Sequence, residues 1–221
     1  MRELSIICTL GLLLSPGEAL ADPDPATRPK LSPAIALVAE KMRAIKTLQV
    51  ELREEKELKV LAEKVQARGT LVFARPRRLA IDLQGEGGTT LVIDGNTMTT
   101  VYKALKRTER VDLAKDPRAR AVAEHLFLLL EAEPEALAAI YDLAVLEEKP
   151  LTMVLTPRPE ALAKILRKVE ARFDERGFVD RLALFEQNGD VTRWNFSAPH
   201  INEPVSESAF EVAPMRPREM P

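Results

Sequence analysis

Between residues 48 and 197 most of the chain alternates apolar and polar residues with a period of two, in short runs divided by tight turns. No other feature constrains the fold as strongly. Leu48, Val50 and Leu52 alternate with Gln49, Glu51 and Arg53. A second long run covers residues 63–74, and shorter ones follow over 79–83, 90–93, 98–103 and 106–113. The separators are Gly85-Glu86-Gly87-Gly88 and Asp94-Gly95-Asn96, the latter reading as a type I′ turn. Strands this close in sequence leave no room for the crossovers that parallel pairing needs. The pattern is an antiparallel meander.

The period changes to 3.6 in two places. Ser32 is a plausible N-cap, Pro33 suits a first helical position, and Ile35, Val38, Met42 and Ile45 share one stripe. Asp116-Pro117 opens a second helix to residue 131, with Val122, Leu126, Leu129 and Leu130 on its apolar side, and a further helical piece covers 134–140. Strands resume at 141–147 and 151–156, and residues 160–166 read as one or two helical turns. The chain then closes with a three-strand meander over 168–175, 178–187 and 191–197. Its turns are Arg176-Gly177 and Asn188-Gly189-Asp190, and Asn-Gly between alternating strands is a strong hairpin signal.

About eleven antiparallel strands follow from this reading. A sheet so long must curl to hide its apolar face. Complete closure would leave the amphipathic helices nothing to cover. The expected fold is therefore mainly β with an α lid: an incomplete antiparallel barrel over an apolar cavity closed by amphipathic helices. Inward strand positions are Val50, Leu52, Leu71, Phe73, Leu79, Ile81, Leu91, Ile93, Leu182, Leu184, Trp194 and Phe196. Lid positions are Ile35, Val38, Met42, Leu126, Leu129 and Leu130. A solid helix-on-sheet core would use the same residues, so the pattern alone leaves cavity and core both open.

Composition narrows the class. The 221 residues are 46% hydrophobic and 30% charged, as expected of one soluble globular domain. Aromatics make up 5%, so aliphatic side chains must fill the interior. The net charge of −2, with both signs interspersed, argues against a nucleic-acid surface. Arg2, the apolar run 6–14 and Ala19-Leu20-Ala21 read as an export signal over residues 1–21, cleaved after Ala21. Cleavage would remove Cys8, the sole cysteine, and leave a chain for an oxidising compartment without disulfides. A proline-rich leader over 22–33, a domain over 34–213 and a disordered tail over 214–221 complete the expected organisation.

Enzymatic motifs are missing from the sequence. His125 and His200 stand far apart, with no mature cysteine to join them, so neither a zinc site nor a Cys-His nucleophile is supported. No G-x-S-x-G, P-loop or G-x-G-x-x-G occurs. The expectation is a non-enzyme with no cofactor and no metal. Lys103, Lys106, Arg107 and Arg110 read as a solvated strand face, or as a surface for acidic lipid head groups or a partner.

One stretch breaks the alternation. In Gly69-Thr-Leu-Val-Phe-Ala-Arg75-Pro76, the inward face Leu71-Phe73 ends in Arg75, and Leu79-x-Ile81 follows. Together with Leu91-Val-Ile-Asp-Gly95, Val101-Tyr102, Leu155-Thr156-Pro157 and Ala209-Phe210-Glu-Val212, this ordered set resembles the periplasmic outer-membrane lipoprotein carriers, the LolA-like family. The resemblance runs over residues 37–210. It implies an incomplete barrel under a helical lid that holds the acyl chains of lipid-modified proteins. It also implies a periplasmic monomer that takes cargo from an inner-membrane exporter and gives it to an outer-membrane acceptor. Arg75 matches the family's arginine that reaches lid backbone carbonyls and helps the lid close. Many carriers place an aromatic where Leu79 and Ile81 stand, and the helical insertion is longer here, so free lipid or glycolipid is an alternative cargo. A further alternative is an envelope-stress sensor that binds a partner protein. Sensors of that kind carry an added C-terminal domain, and this chain stops soon after its last strand.

Overall fold

The first and last strands pair with each other, and this closure decides where the helices go. The computed structural model describes residues 33–59, 63–85, 88–131 and 133–212. The expected signal peptide, most of the leader, Ser32 and the expected tail lie outside these residues. The chain begins with α1 (Pro33–Arg43), then β1 (Thr47–Leu58), β2 (Glu63–Ala74), β3 (Arg78–Gln84), β4 (Thr89–Asp94), β5 (Thr97–Tyr102) and β6 (Arg107–Asp112). Two helices follow, α2 (Pro117–Glu131) and α3 (Pro134–Ile140). After them come β7 (Tyr141–Glu148), β8 (Leu151–Pro157), α4 (Glu160–Ala163), β9 (Leu166–Phe173), β10 (Val179–Glu186) and β11 (Val191–Ile201).

All eleven strands form one sheet in the order β6-β5-β4-β3-β2-β1-β11-β10-β9-β8-β7, each pair antiparallel. The sheet is open, as the incomplete barrel requires. Its edges, β6 and β7, are consecutive in the chain, so α2 and α3 must bridge from one edge to the other. They do so across the apolar face: Val122, Ala123, Leu126, Phe127 and Leu137 share one buried cluster with Leu52, Leu71, Ile81 and Leu182.

The sheet bends at specific residues. Register shifts break the pairing between Gln49 and Glu51, Val145 and Glu147, Val179 and Arg181, and Phe185 and Glu186; such bulges bend the strand that carries them. Gly69 sits opposite Leu52 and Leu83. A Cβ there would lie 1.7 Å from the Asp82 carbonyl oxygen, so only glycine lets β2 and β3 approach this closely.

Several boundaries differ from the expected ones. β1 and β11 are longer than their apolar patterns, because Arg53 to Glu57 is polar on both faces and conceals the period. Pairing continues regardless through Glu57↔Val191, with Arg193 Nη1 3.1 Å from Glu57. α4 is a single turn and β9 begins at Leu166. At Asp94-Gly95 only Gly95 has positive φ, at 58°, which is the sign pattern of a type II′ turn instead of the expected I′. On the opposite face a second small core forms where Phe210, from the 3-10 turn Glu207–Phe210, covers Ala74, Ala80 and Val92. Arg78 stacks over the Phe210 ring at 4.1 Å and binds Glu207.

Candidate functional site: an apolar interior under helices

Alternation sends Val50, Leu71, Ile81, Leu182, Trp194 and Phe196 to the covered face, where they line one apolar cavity. From above, Met42 of α1 and Leu126, Leu129 and Leu130 of α2 complete it. The unfilled volume is only about 30 Å³. That suffices for water and not for an acyl chain. The helical side chains therefore occupy the space that an acyl guest would need.

The other expected positions lie around the cavity without lining it. Leu52, Phe73, Leu79, Leu91, Ile93 and Leu184 belong to the same buried cluster, as do Ile35 and Val38 of α1. Phe73 meets Phe127 of α2 at a ring distance of 6.3 Å. Leu48, Phe178 and Val179 line the cavity and were not among the expected residues. Leu48 was legible as the first inward position of its strand, whereas Phe178 and Val179 follow a turn, where the period has not yet begun. Phe196 packs edge-on against both Trp194 and Phe178 at 6.4 and 6.3 Å.

Arg75 closes the rim. β2 ends at Ala74, and the inward alternation Leu71-Phe73 carries the guanidinium to the point where both helices finish. Its Nε donates to the Ile45 carbonyl at 3.0 Å, just beyond α1. Its Nη1 donates to Glu131, the last residue of α2, also at 3.0 Å. The face thus ends in a charge because a planar group with five N–H donors can meet a backbone carbonyl and a carboxylate together. Nη2 is buried without a hydrogen-bond partner among the described residues. Beside it, Arg43 Nε holds Glu133 at 2.8 Å and Nη2 holds Glu135 at 3.3 Å, tying the end of α1 to the start of α3. Glu131 and Glu133 escaped sequence reading because no periodicity links them to Arg75 or Arg43.

Two buried polar contacts flank the interior. His125 Nε2 and the Tyr141 hydroxyl lie 2.5 Å apart between α2 and the start of β7. Burial lowers His125 to about 4 and raises Tyr141, so each is neutral near pH 7. Trp194 Nε1 donates to Glu54 at 2.7 Å. Glu54 is raised by desolvation, partly opposed by that hydrogen bond. His200 lies elsewhere, with Nδ1 3.1 Å from exposed Glu203. Of the basic surface cluster, Lys106, Arg107 and Arg110 are exposed, while Lys103 binds Asp82 at 2.7 Å and the Leu83 carbonyl at 2.8 Å.

A curled sheet whose apolar face lies under helices clasped at their ends has the architecture of a lipid- or lipoprotein-binding carrier. The chain belongs to the family described as outer membrane lipoprotein carrier protein LolA, whose model matches residues 33–213. No curated protein matches it. Solved structures resemble it at low identity. A DUF1329 family protein from Desulfovibrio piger is 10% identical over 80% of this chain and 95% of that one, with a TM-score of 0.44. The MucA/MucB complex from Pseudomonas aeruginosa is 17% identical over 81% of this chain and 60% of that one, at 0.46. The lipoprotein LppX from Mycobacterium tuberculosis is 11% identical over 78% and 95%, at 0.43.

Proposed function

We propose that this chain is a periplasmic, non-enzymatic carrier that takes the acyl chains of lipid-modified proteins into its apolar interior. In this reading it moves them as a monomer from an inner-membrane exporter to an outer-membrane acceptor. The observation that carries the reading is the near-absence of free volume beneath the helices, combined with their attachment to the sheet rim through Arg75.

Magnitudes explain why a filled interior suits a carrier. Sixteen methylenes left in water cost on the order of 12 kcal/mol at about 0.8 kcal/mol each. Burying Met42, Leu126, Leu129 and Leu130 contributes roughly 6–12 kcal/mol at about 1.5–3 kcal/mol per side chain. Lid and guest compete for one surface with similar energies, so binding stays reversible. An empty, permanently open cavity would hold its load too firmly to release it.

The test is to purify the mature chain from its native envelope and identify what accompanies it by mass spectrometry. Lipid-modified protein supports the proposal. Free phospholipid or glycolipid alone would move the assignment to another cargo on the same fold, and a clean protein bound to a signalling partner would refute transport.

A further inference from the structure

The apolar face of the sheet ends along one line across three neighbouring strands. Inward positions on β1 run Leu48, Val50, Leu52, and then Glu54 and Lys56. On β11 they run Phe196, Trp194, Thr192, and on β10 Leu182, Leu184, Glu186. The register sets Trp194 opposite Glu54, and Thr192 opposite Lys56 on one side and Leu184 on the other. Two residues advance about 6.6–6.8 Å along a strand, so Thr192 lies one side-chain row from the cavity wall.

This row is more than a polar edge. The Trp194 indole lines the cavity and also donates to Glu54, so apolar wall and polar row are directly joined. Lys56 acts on both Glu54 and Glu186, and Asp190 adds a further carboxylate beside Glu186. Carboxylates therefore outnumber the ammonium. Thr192 is 0% exposed, and its Oγ1 has no hydrogen-bond partner among the described residues. Buried hydroxyls are normally paired, so an orphan on this row points to a missing partner.

We infer that Glu54, Lys56, Glu186 and Thr192 form a head-group subsite for an acyl-bearing molecule with a free primary amine, its chain lying in the apolar interior beyond Trp194. The inference rests on the acyl-carrier reading and narrows it. An ammonium offers three donors and no acceptor, which suits two carboxylates and a hydroxyl oxygen. A phosphate or carboxylate head would meet the excess negative charge, and a neutral head would leave it uncompensated. Desolvation raises both Glu54 and Glu186, so a cation brought by the guest would restore what burial withholds. Diacylated lipopeptides with a free α-amine and aminophospholipids share this chemistry.

The experiment measures binding of two probe pairs to the mature chain by native mass spectrometry. One pair is an S-diacylglyceryl-cysteinyl peptide with a free α-amine and its N-acetylated form. The other is dioleoylphosphatidylethanolamine and its N-acetyl derivative. A free-amine probe is expected to bind about tenfold tighter than its acetylated partner, the scale of one charge-assisted contact. Glu186→Gln and Thr192→Val, checked for intact melting, should reduce that ratio to about threefold or less without weakening the acetylated probes. Preference within the peptide pair alone, or within the phospholipid pair alone, supports the subsite and identifies the source of the amine. Equal binding of free and acetylated probes in both pairs overturns the subsite and leaves the carrier reading standing. No binding by any acyl probe overturns both.

Discussion

The guanidinium of Arg75 spans the 3.0 Å from Nη1 to the carboxylate of Glu131 while its Nε reaches the Ile45 carbonyl at the same distance. One side chain on the sheet thus holds the C-terminal ends of both covering helices. A carboxylate at the end of α2 opposes the negative pole of that helix, and the arginine offsets the conflict. The clasp gives the lid one point of release.

Replacing Arg75 with Leu should therefore loosen the helices without unfolding the sheet. Charge-assisted hydrogen bonds contribute about 1.5–3 kcal/mol, so amides near Ile45 and in the last turn of α2 should exchange on the order of tenfold to a hundredfold faster. Glu131→Gln should show the same pattern with a smaller effect. In a transfer assay Arg75→Leu should still load cargo but release it poorly. Unchanged exchange at both helix ends would remove Arg75 from the lid.

Much of the architecture is legible in the sequence because period-two alternation survives wherever one face is buried. The helix at residues 116–131 was readable for the same reason, from Val122, Leu126, Leu129 and Leu130. The signal fails where both faces are polar, as at Arg53 to Glu57, and there the strand continues on ladder hydrogen bonds and cross-strand charges. Inward residues could be named, but which of them touch free space depends on helix placement. Leu184 and Leu91 alternate as well as Leu182 does, yet only Leu182 lines the cavity. The clasp partners are set by where helices end in space, which no local pattern encodes.

A lid side chain and a core side chain differ in one measurable sign. Leu126→Ala should destabilise the empty protein by about 2–5 kcal/mol, as buried leucine truncations do. If Leu126 competes with the guest, the same change should tighten binding of an acyl probe. Loss of both stability and affinity would make Leu126 ordinary core.

Gly69→Ala tests the curvature. Its Cβ would meet the Asp82 backbone at 1.7 Å, and β2 and β3 would have to separate. The cost should be at least about 2–3 kcal/mol in chemical denaturation, since backbone cannot yield as a flexible side chain would. A neutral effect would show that the sheet's curvature does not depend on this approach.

His125 gives stability a pH dependence of known sign. Its value falls from 6.5 to about 4 on folding because the ring is buried. Between those values the unfolded chain binds more protons, so stability decreases as pH falls from 6.5 towards 4, by roughly 3 kcal/mol in all, and levels off below. Glu54 and Glu186 are raised by burial, so they act in the opposite direction, contributing stability at low pH that is lost as pH rises. Subtracting the pH profile of His125→Gln from that of the parent chain should isolate the histidine contribution. A flat difference between pH 4 and 6.5 would contradict the buried neutral ring.

Trp194 is the sole tryptophan, lines the cavity and is 5% exposed, so its fluorescence reports on the interior directly. Titration of the mature chain with a fatty acyl probe brominated near its terminus should quench this emission saturably, while the unbrominated probe should not. Arg75→Leu should admit the probe faster. If acyl probes at saturating concentration leave Trp194 unquenched, the helices over the sheet are fixed packing, and no fatty chain travels beneath them.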